Sequence, residues 1–139
     1  VLAIVLFIRE EKRDHRFFLP MIVAGLASWI SAQFLLKPLL GRIRPAETIG
    51  ALVVGRRLSD FSFPSGHATL SWAVALILAA KEPRAKYFFF LLATLISLSR
   101  IYLGVHYPSD VLAGGAMGLT IGSISLFVEQ RISRIRQKR

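Results

Sequence analysis

Eight residues of this sequence combine types that can act together on one anion: Lys37, Arg44, Ser65, Gly66, His67, Arg100, His106 and Asp110. Lys37, Arg44 and Arg100 are cations suited to caging a phosphoryl group. The guanidinium forks match its oxygens two at a time, and the ammonium adds a compact charge. Ser65 and Gly66 stand where a helix should begin, so their backbone N–H groups can face an anion with the helix dipole behind them. Gly66 also permits an approach that a Cβ would block. His106 and Asp110 are four apart, one helical turn if the stretch is helical despite Pro108. The carboxylate would then hold one ring nitrogen as N–H and leave the other to attack or to take a proton. His67 can donate a proton to a leaving oxygen. Together these parts make a phosphoryl-transfer site that needs no metal, although the residues alone do not choose which histidine attacks.

Each part has a plainer reading. Lys37 alone reads as a snorkelling anchor at a helix end, Arg44-Pro45 as a loop, and Asp110 as a helix cap beside Ser109. Arg100 is harder to set aside, because it ends a strongly apolar run where a charge is costly. A metal site is disfavoured on this face. Two histidines and three carboxylates (Glu47, Asp60 and Asp110) stand there against six cations.

Positioning these residues falls to apolar segments. The chain has 139 residues, 54% hydrophobic, yet carries 18 Lys+Arg against 8 Asp+Glu, a net charge of +10. Apolar content of this order excludes intrinsic disorder. The basic residues do not interleave with a groove-reading element, which argues against nucleic acid as a partner. With no cysteine, disulfide scaffolds, thiolate zinc sites and cysteine nucleophiles are out.

Charge and apolar surface are instead segregated along the chain. Phe17 to Leu36 is 20 residues without a charged side chain, about the ~20 that cross a bilayer as a helix. Further spans are predicted from Pro64–His67 to Ala80, from Tyr87 to about Leu103, and from about Ser109 to Val128. A basic tail ends the chain, and Val1 to Ile8 reads as the stub of a helix that begins earlier. Between Lys37 and about Phe63, Pro38, Gly41, Pro45, Gly50 and Gly55 predict no regular helix. The fold expected is an all-α, polytopic transmembrane bundle of four full spans plus an N-terminal stub. Residues 1–139 would form one integral-membrane domain lacking its most N-terminal helices.

Four successive spans put loops 9–16, 81–86 and 129–139 on one side, with twelve of the eighteen basic residues. The positive-inside rule makes that side, with the C-terminus, cytoplasmic. The candidate residues then meet at the opposite face. Arg56 and Arg57, also on that face, read as solvated or headgroup-facing. Gly114, Gly118 and Gly122 form overlapping small-xxx-small patterns, read first as packing within the bundle and second as a homodimer face.

The spacing is more specific than the chemistry. Lys37 precedes Arg44-Pro45 by six intervening residues; Pro64-Ser65-Gly66-His67 follows; Ser99-Arg100, five residues, His106, three residues and Asp110 complete the series. This resembles the three-part signature of the type 2 phosphatidic acid phosphatase superfamily, which includes membrane lipid phosphate phosphatases and vanadium-dependent haloperoxidases. Every motif position matches. The resemblance implies that His106 is the nucleophile of a phosphohistidine intermediate, that Asp110 orients it, and that His67 protonates the leaving group. Lys37, Arg44, Ser65, Gly66 and Arg100 would bind the phosphoryl oxygens, without metal or other cofactor. Its usual core of six transmembrane helices also suggests that an N-terminal part is absent here.

The function expected on that resemblance is hydrolysis of a phosphomonoester, or of a terminal pyrophosphate bond, on a membrane lipid. The short chain suggests a bacterial inner-membrane enzyme, of the undecaprenyl pyrophosphate phosphatase kind, whose site faces the periplasm or outside. Undecaprenyl pyrophosphate is the first choice of substrate, then phosphatidylglycerophosphate or phosphatidic acid. The alternatives are a non-catalytic bundle that binds lipid phosphate headgroups and a vanadate-dependent haloperoxidase-like enzyme. The apolar spans argue against the latter, whose relatives are soluble.

Overall fold

A computed structural model describes residues 18–54 and 59–137. The stub Val1–Ile8, the polar run 9–16, Phe17 and the pair Arg56 and Arg57 lie outside the described residues. What is described is helical, with no strand. In chain order the α-helices are α1 (Phe18–Ile30), α2 (Lys37–Leu40), α3 (Pro45–Thr48), α4 (Gly66–Lys81), α5 (Lys86–Tyr102) and α6 (Pro108–Gln137). A 3-10 turn, Pro83–Ala85, joins α4 to α5.

The first apolar stretch runs further than its composition suggests. After Ile30 it continues as a π-helical segment, Ser31–Leu36, and passes directly into α2. The N–H of Lys37 donates to the carbonyl of Ala32, the five-residue step of a π turn. Pro38 follows as the second residue of α2, where a residue without an N–H interrupts the helical hydrogen-bond ladder directly after the π segment. Gly41, at φ 55°, then ends the helix in the left-handed conformation. The region after Lys37 is therefore not free of helix: α2 carries Pro38 at its second position and α3 begins at Pro45, both prolines that composition alone marks as breakers.

Three stretches are long and apolar enough to cross a membrane: Phe18–Thr48, Pro83–Tyr102 and Pro108–Ile135. The expected second span, α4, has only 16 residues, about 24 Å at 1.5 Å per residue. Among the described residues there are thus three stretches of that length and one shorter apolar helix, where four full spans were expected. That short helix packs against α1, α5 and α6, and its buried side chains are Ala68, Thr69, Ala73, Ala75 and Ile77. At the other end of the chain, α6 carries helix through Gln137, so most of the expected basic tail is helical.

The α4–α6 contact explains the glycine pattern. A Cβ on Gly118 would lie 2.3 Å from the carbonyl oxygen of Thr69, and one on Gly122 2.9 Å from that of Ala73. A Cβ on Gly114 would stand 2.7 Å from the carbonyl oxygen of Ser65. Close backbone approach maximises van der Waals contact where lipid supplies no hydrophobic drive between helices. Within the chain, this face of α6 packs against α4.

Candidate active site

The ends of α2, α4 and α6 meet because three polar links tie them together across long stretches of sequence. The Arg44 guanidinium donates to the Val105 carbonyl at 2.6 Å, the Ser65 N–H to the Asp110 carbonyl at 3.1 Å, and Arg42 Nη1 to Asp110 Oδ1 at 2.6 Å. Lys37, Arg44, Gly66, His67 and His106 line one cavity of about 510 Å³. Trp29, Ala32 and Leu70 form apolar wall between α1 and α4, and Trp29 and Leu70 are themselves exposed toward the outside of the bundle.

Lys37 is buried, at 7% exposure, which rules out the snorkelling anchor. The π step behind it sets the direction in which its side chain leaves the helix. Arg44 is equally buried, at 4%, and is held by backbone. Its Nε donates to the Asp60 carbonyl at 2.8 Å, Nη1 to Val105, and Nη2 to the Phe61 carbonyl at 3.3 Å. Neither cation is solvated, and one carboxylate serves both. Asp60 Oδ1 accepts Arg44 Nη2 at 2.6 Å while Oδ2 accepts Lys37 Nζ. Burial alone would raise the Asp60 carboxyl, but the hydrogen bonds and charges of Lys37 and Arg44 prevail and bring it down to about 2.

Ser65 is fully buried and caps α4, its Oγ accepting the Ala68 N–H at 3.4 Å. Its own N–H is spent on the Asp110 carbonyl, so the expected pair of anion-facing amides at this helix start loses the Ser65 member. Gly66 remains on the cavity wall. Arg100 sits at the end of α5 with Nε on Ser99 Oγ at 3.1 Å, and is not part of the cavity lining. Lys37 and Arg44 line the cavity directly, while Arg100 stands outside its lining but near enough to His67 for its charge to act on that ring together with theirs.

His106 and Asp110 are close for a different reason from the one their spacing suggests. Pro108 opens α6, so His106 lies in the preceding turn, not on the helix. Asp110 reaches back so that Oδ2 accepts the Tyr107 N–H at 2.9 Å, the reciprocal half of a capping box. The same Oδ2 stands 3.5 Å from His106 Nδ1. Asp110 therefore caps the helix and faces the imidazole at once. His106 is buried. That burial and the charges of Arg44 and Lys37 outweigh Asp110 and the Ser62 carbonyl, bringing the imidazole down to about 4. It is neutral, with a free lone pair, near neutral pH.

Two residues were missed as parts of the site. Arg42 counts in the sequence only as a loop cation, yet it bonds Asp110 and Ser109 Oγ and stacks 4.1 Å above the Tyr107 ring. Asp60 counts only as a carboxylate on this face. The available signal was charge balance, since two buried cations need a counter-ion. Among the described residues, no group of three His, Cys, Asp or Glu is placed to hold a metal.

A family model described as the PAP2 superfamily matches residues 15–134. The lipid A 4'-phosphatase of Bacteroides thetaiotaomicron is 35% identical over 106 residues, covering 70% of this chain and 47% of that protein. The undecaprenyl-diphosphatase of Sulfolobus acidocaldarius is 28% identical over 128 residues, covering 91% of this chain and 60% of that protein. The chain thus spans about half to three-fifths of the length of these relatives. The crystal structure of Aquifex aeolicus LpxE superposes with a TM-score of 0.72 at 34% identity, covering 90% of this chain and 73% of that one.

Proposed function

The chain belongs to the PAP2 superfamily, and we propose that it is a membrane lipid phosphatase that works through a phosphohistidine on His106. The observation that carries this reading is the cavity on which Lys37, Arg44, His67 and His106 converge, with Asp110 behind the last. In the first step His106 Nε2 attacks phosphorus. The bond to the lipid oxygen breaks, and His67 in its charged form gives that oxygen a proton. Lys37, Arg44 and the helix start at Gly66 take up the charge on the remaining oxygens. Arg100, from the end of α5, is assigned to the same group once a ligand is present. In the second step water attacks the phosphohistidine, His67 accepts its proton, and inorganic phosphate and neutral His106 are restored.

The lipid nature of the substrate is supported by the apolar wall formed by Trp29, Ala32 and Leu70, through which a chain can lie between α1 and α4 while the headgroup reaches the cations. Undecaprenyl pyrophosphate is the first candidate, since the relative so named covers 91% of this chain. Phosphatidylglycerophosphate, phosphatidic acid and a lipid A phosphate follow. The site is assigned to the face away from the cytoplasm, with the C-terminal end of α6 inside, a reading supported by the basic residues of 81–86 and of the end of α6.

Phosphate release from these four lipids by protein purified in detergent, with chelator present, tests the reading. Release from at least one, unaffected by chelator, is expected. Release abolished by chelator contradicts the metal-free chemistry, and binding without release from any of them favours a headgroup-binding bundle.

A further inference from the structure

Lys37 and Arg44, assigned above to phosphoryl oxygens, already hold an anion of the protein's own. Asp60 offers two carboxylate oxygens to the two cations, one each, in the manner of two oxygens of a phosphoryl group. It lines the same cavity as His67 and His106. The three partners differ sharply in exposure. The Asp60 side chain is 34% exposed, against 9% for Lys37 and 4% for Arg44. The carboxylate is therefore the member that can leave toward solvent, while the cations are buried.

Arg44 does not depend on that carboxylate for its position. Three backbone carbonyls, of Asp60, Phe61 and Val105, hold the guanidinium, and rotation about the Asp60 side chain leaves all three in place. The Lys37 backbone is set by the helix it belongs to, and its side chain is buried. A structural salt bridge would bury its acid along with its bases. Here the acid is the exposed, replaceable part.

We propose that Asp60 is a displaceable counter-ion, which occupies the phosphoryl subsite while it is empty, yields Lys37 and Arg44 to the incoming phosphoryl oxygens, and retakes them as inorganic phosphate leaves. The inference rests on the reading of Lys37 and Arg44 as phosphoryl ligands. Without Asp60 two buried cations would stay unpaired between turnovers, which is costly. With it, affinity for any tetrahedral oxyanion is reduced by the bonds that must first be exchanged. Product inhibition is reduced in the same proportion.

The probe is tungstate, a tetrahedral dianion, titrated calorimetrically into the full chain in detergent and into Asp60→Asn. Asp60→Asn is expected to bind tungstate about tenfold to a hundredfold more tightly, the range for one lost charged hydrogen-bonded competitor. Unchanged or weaker binding by Asp60→Asn, with the wild type binding, overturns the counter-ion role and leaves the phosphatase reading standing. Absence of tungstate binding by both proteins overturns the phosphoryl-ligand reading, and the inference with it. Where the variant does not fold, the wild type answers alone. Carbodiimide labelling of Asp60, read by mass spectrometry, is expected to rise when tungstate is added. Labelling that stays constant at saturating tungstate contradicts displacement.

Discussion

Asp110 Oδ2 stands 3.5 Å from His106 Nδ1, and the carboxylate that makes this approach is itself held from two other directions. The Tyr107 N–H bonds the same oxygen and Arg42 Nη1 the other. Among the described residues His106 Nδ1 has no hydrogen-bond partner, and Asp110 Oδ2 is the acceptor that faces it.

Asp110→Asn tests the orienting role. An amide can present N–H₂ to Nδ1 and favour the tautomer protonated at Nε2, which cannot attack. A fall in kcat of about a thousandfold or more is expected, with KM changed far less. A variant with near-normal kcat would place Asp110 in helix capping alone. Arg42→Ala should act through Asp110, lowering kcat by about tenfold, with partial recovery in Arg42→Lys. An effect confined to thermal stability would make Arg42 a structural contact only.

The protonation of His106 gives a prediction with a definite sign. Burial, first, and the charges of Arg44 and Lys37 lower the imidazole from 6.5 to about 4, so the folded state disfavours its charged form. Stability from this group is complete above the unfolded value and declines as pH falls toward the folded one. Histidine resonances, assigned with His106→Gln, should show His106 neutral from alkaline pH down to about pH 5. Titration near 6.5 would contradict the environment described here. Arg44→Gln should move the midpoint upward, since it removes a charge that opposes protonation.

Gly118 tests the packing that sets α4 against α6. A Cβ there meets backbone, the Thr69 oxygen at 2.3 Å and the Ala73 nitrogen at 3.0 Å, and neither can yield without moving a helix. Gly118→Ala should lose about 1–3 kcal/mol, read as a lower midpoint of thermal unfolding in detergent, with reduced activity as the His67 end of α4 shifts. A midpoint equal to wild type would show that the helices are less closely set.

Much of this was legible in the sequence, and particular residues show where legibility ended. The apolar runs announced the helices, and the motif spacing marked Lys37, Arg44, His67, His106 and Asp110, all of which meet. Hydropathy could not reveal the π segment before Lys37, because one extra residue per turn leaves composition unchanged. The bounds of α4 match the expected second span, but its 16 residues make it shorter than the three membrane-long stretches. Arg42 and Asp60 escaped because their roles are relations to partners. Arg42 finds its carboxylate 68 positions away, and Asp60 matters through two cations that the sequence had already assigned elsewhere.

The most direct test of the account is to trap the phosphoryl enzyme. Protein mixed with a turned-over lipid phosphate is quenched in alkali, where phosphohistidine survives, then digested and mapped by mass spectrometry. The expected result is a phosphoryl group on the peptide bearing His106, absent from His106→Ala and accumulating in a His67 variant slowed in the hydrolytic step. A phosphoryl group on His67, or undiminished turnover by His106→Ala, would contradict it.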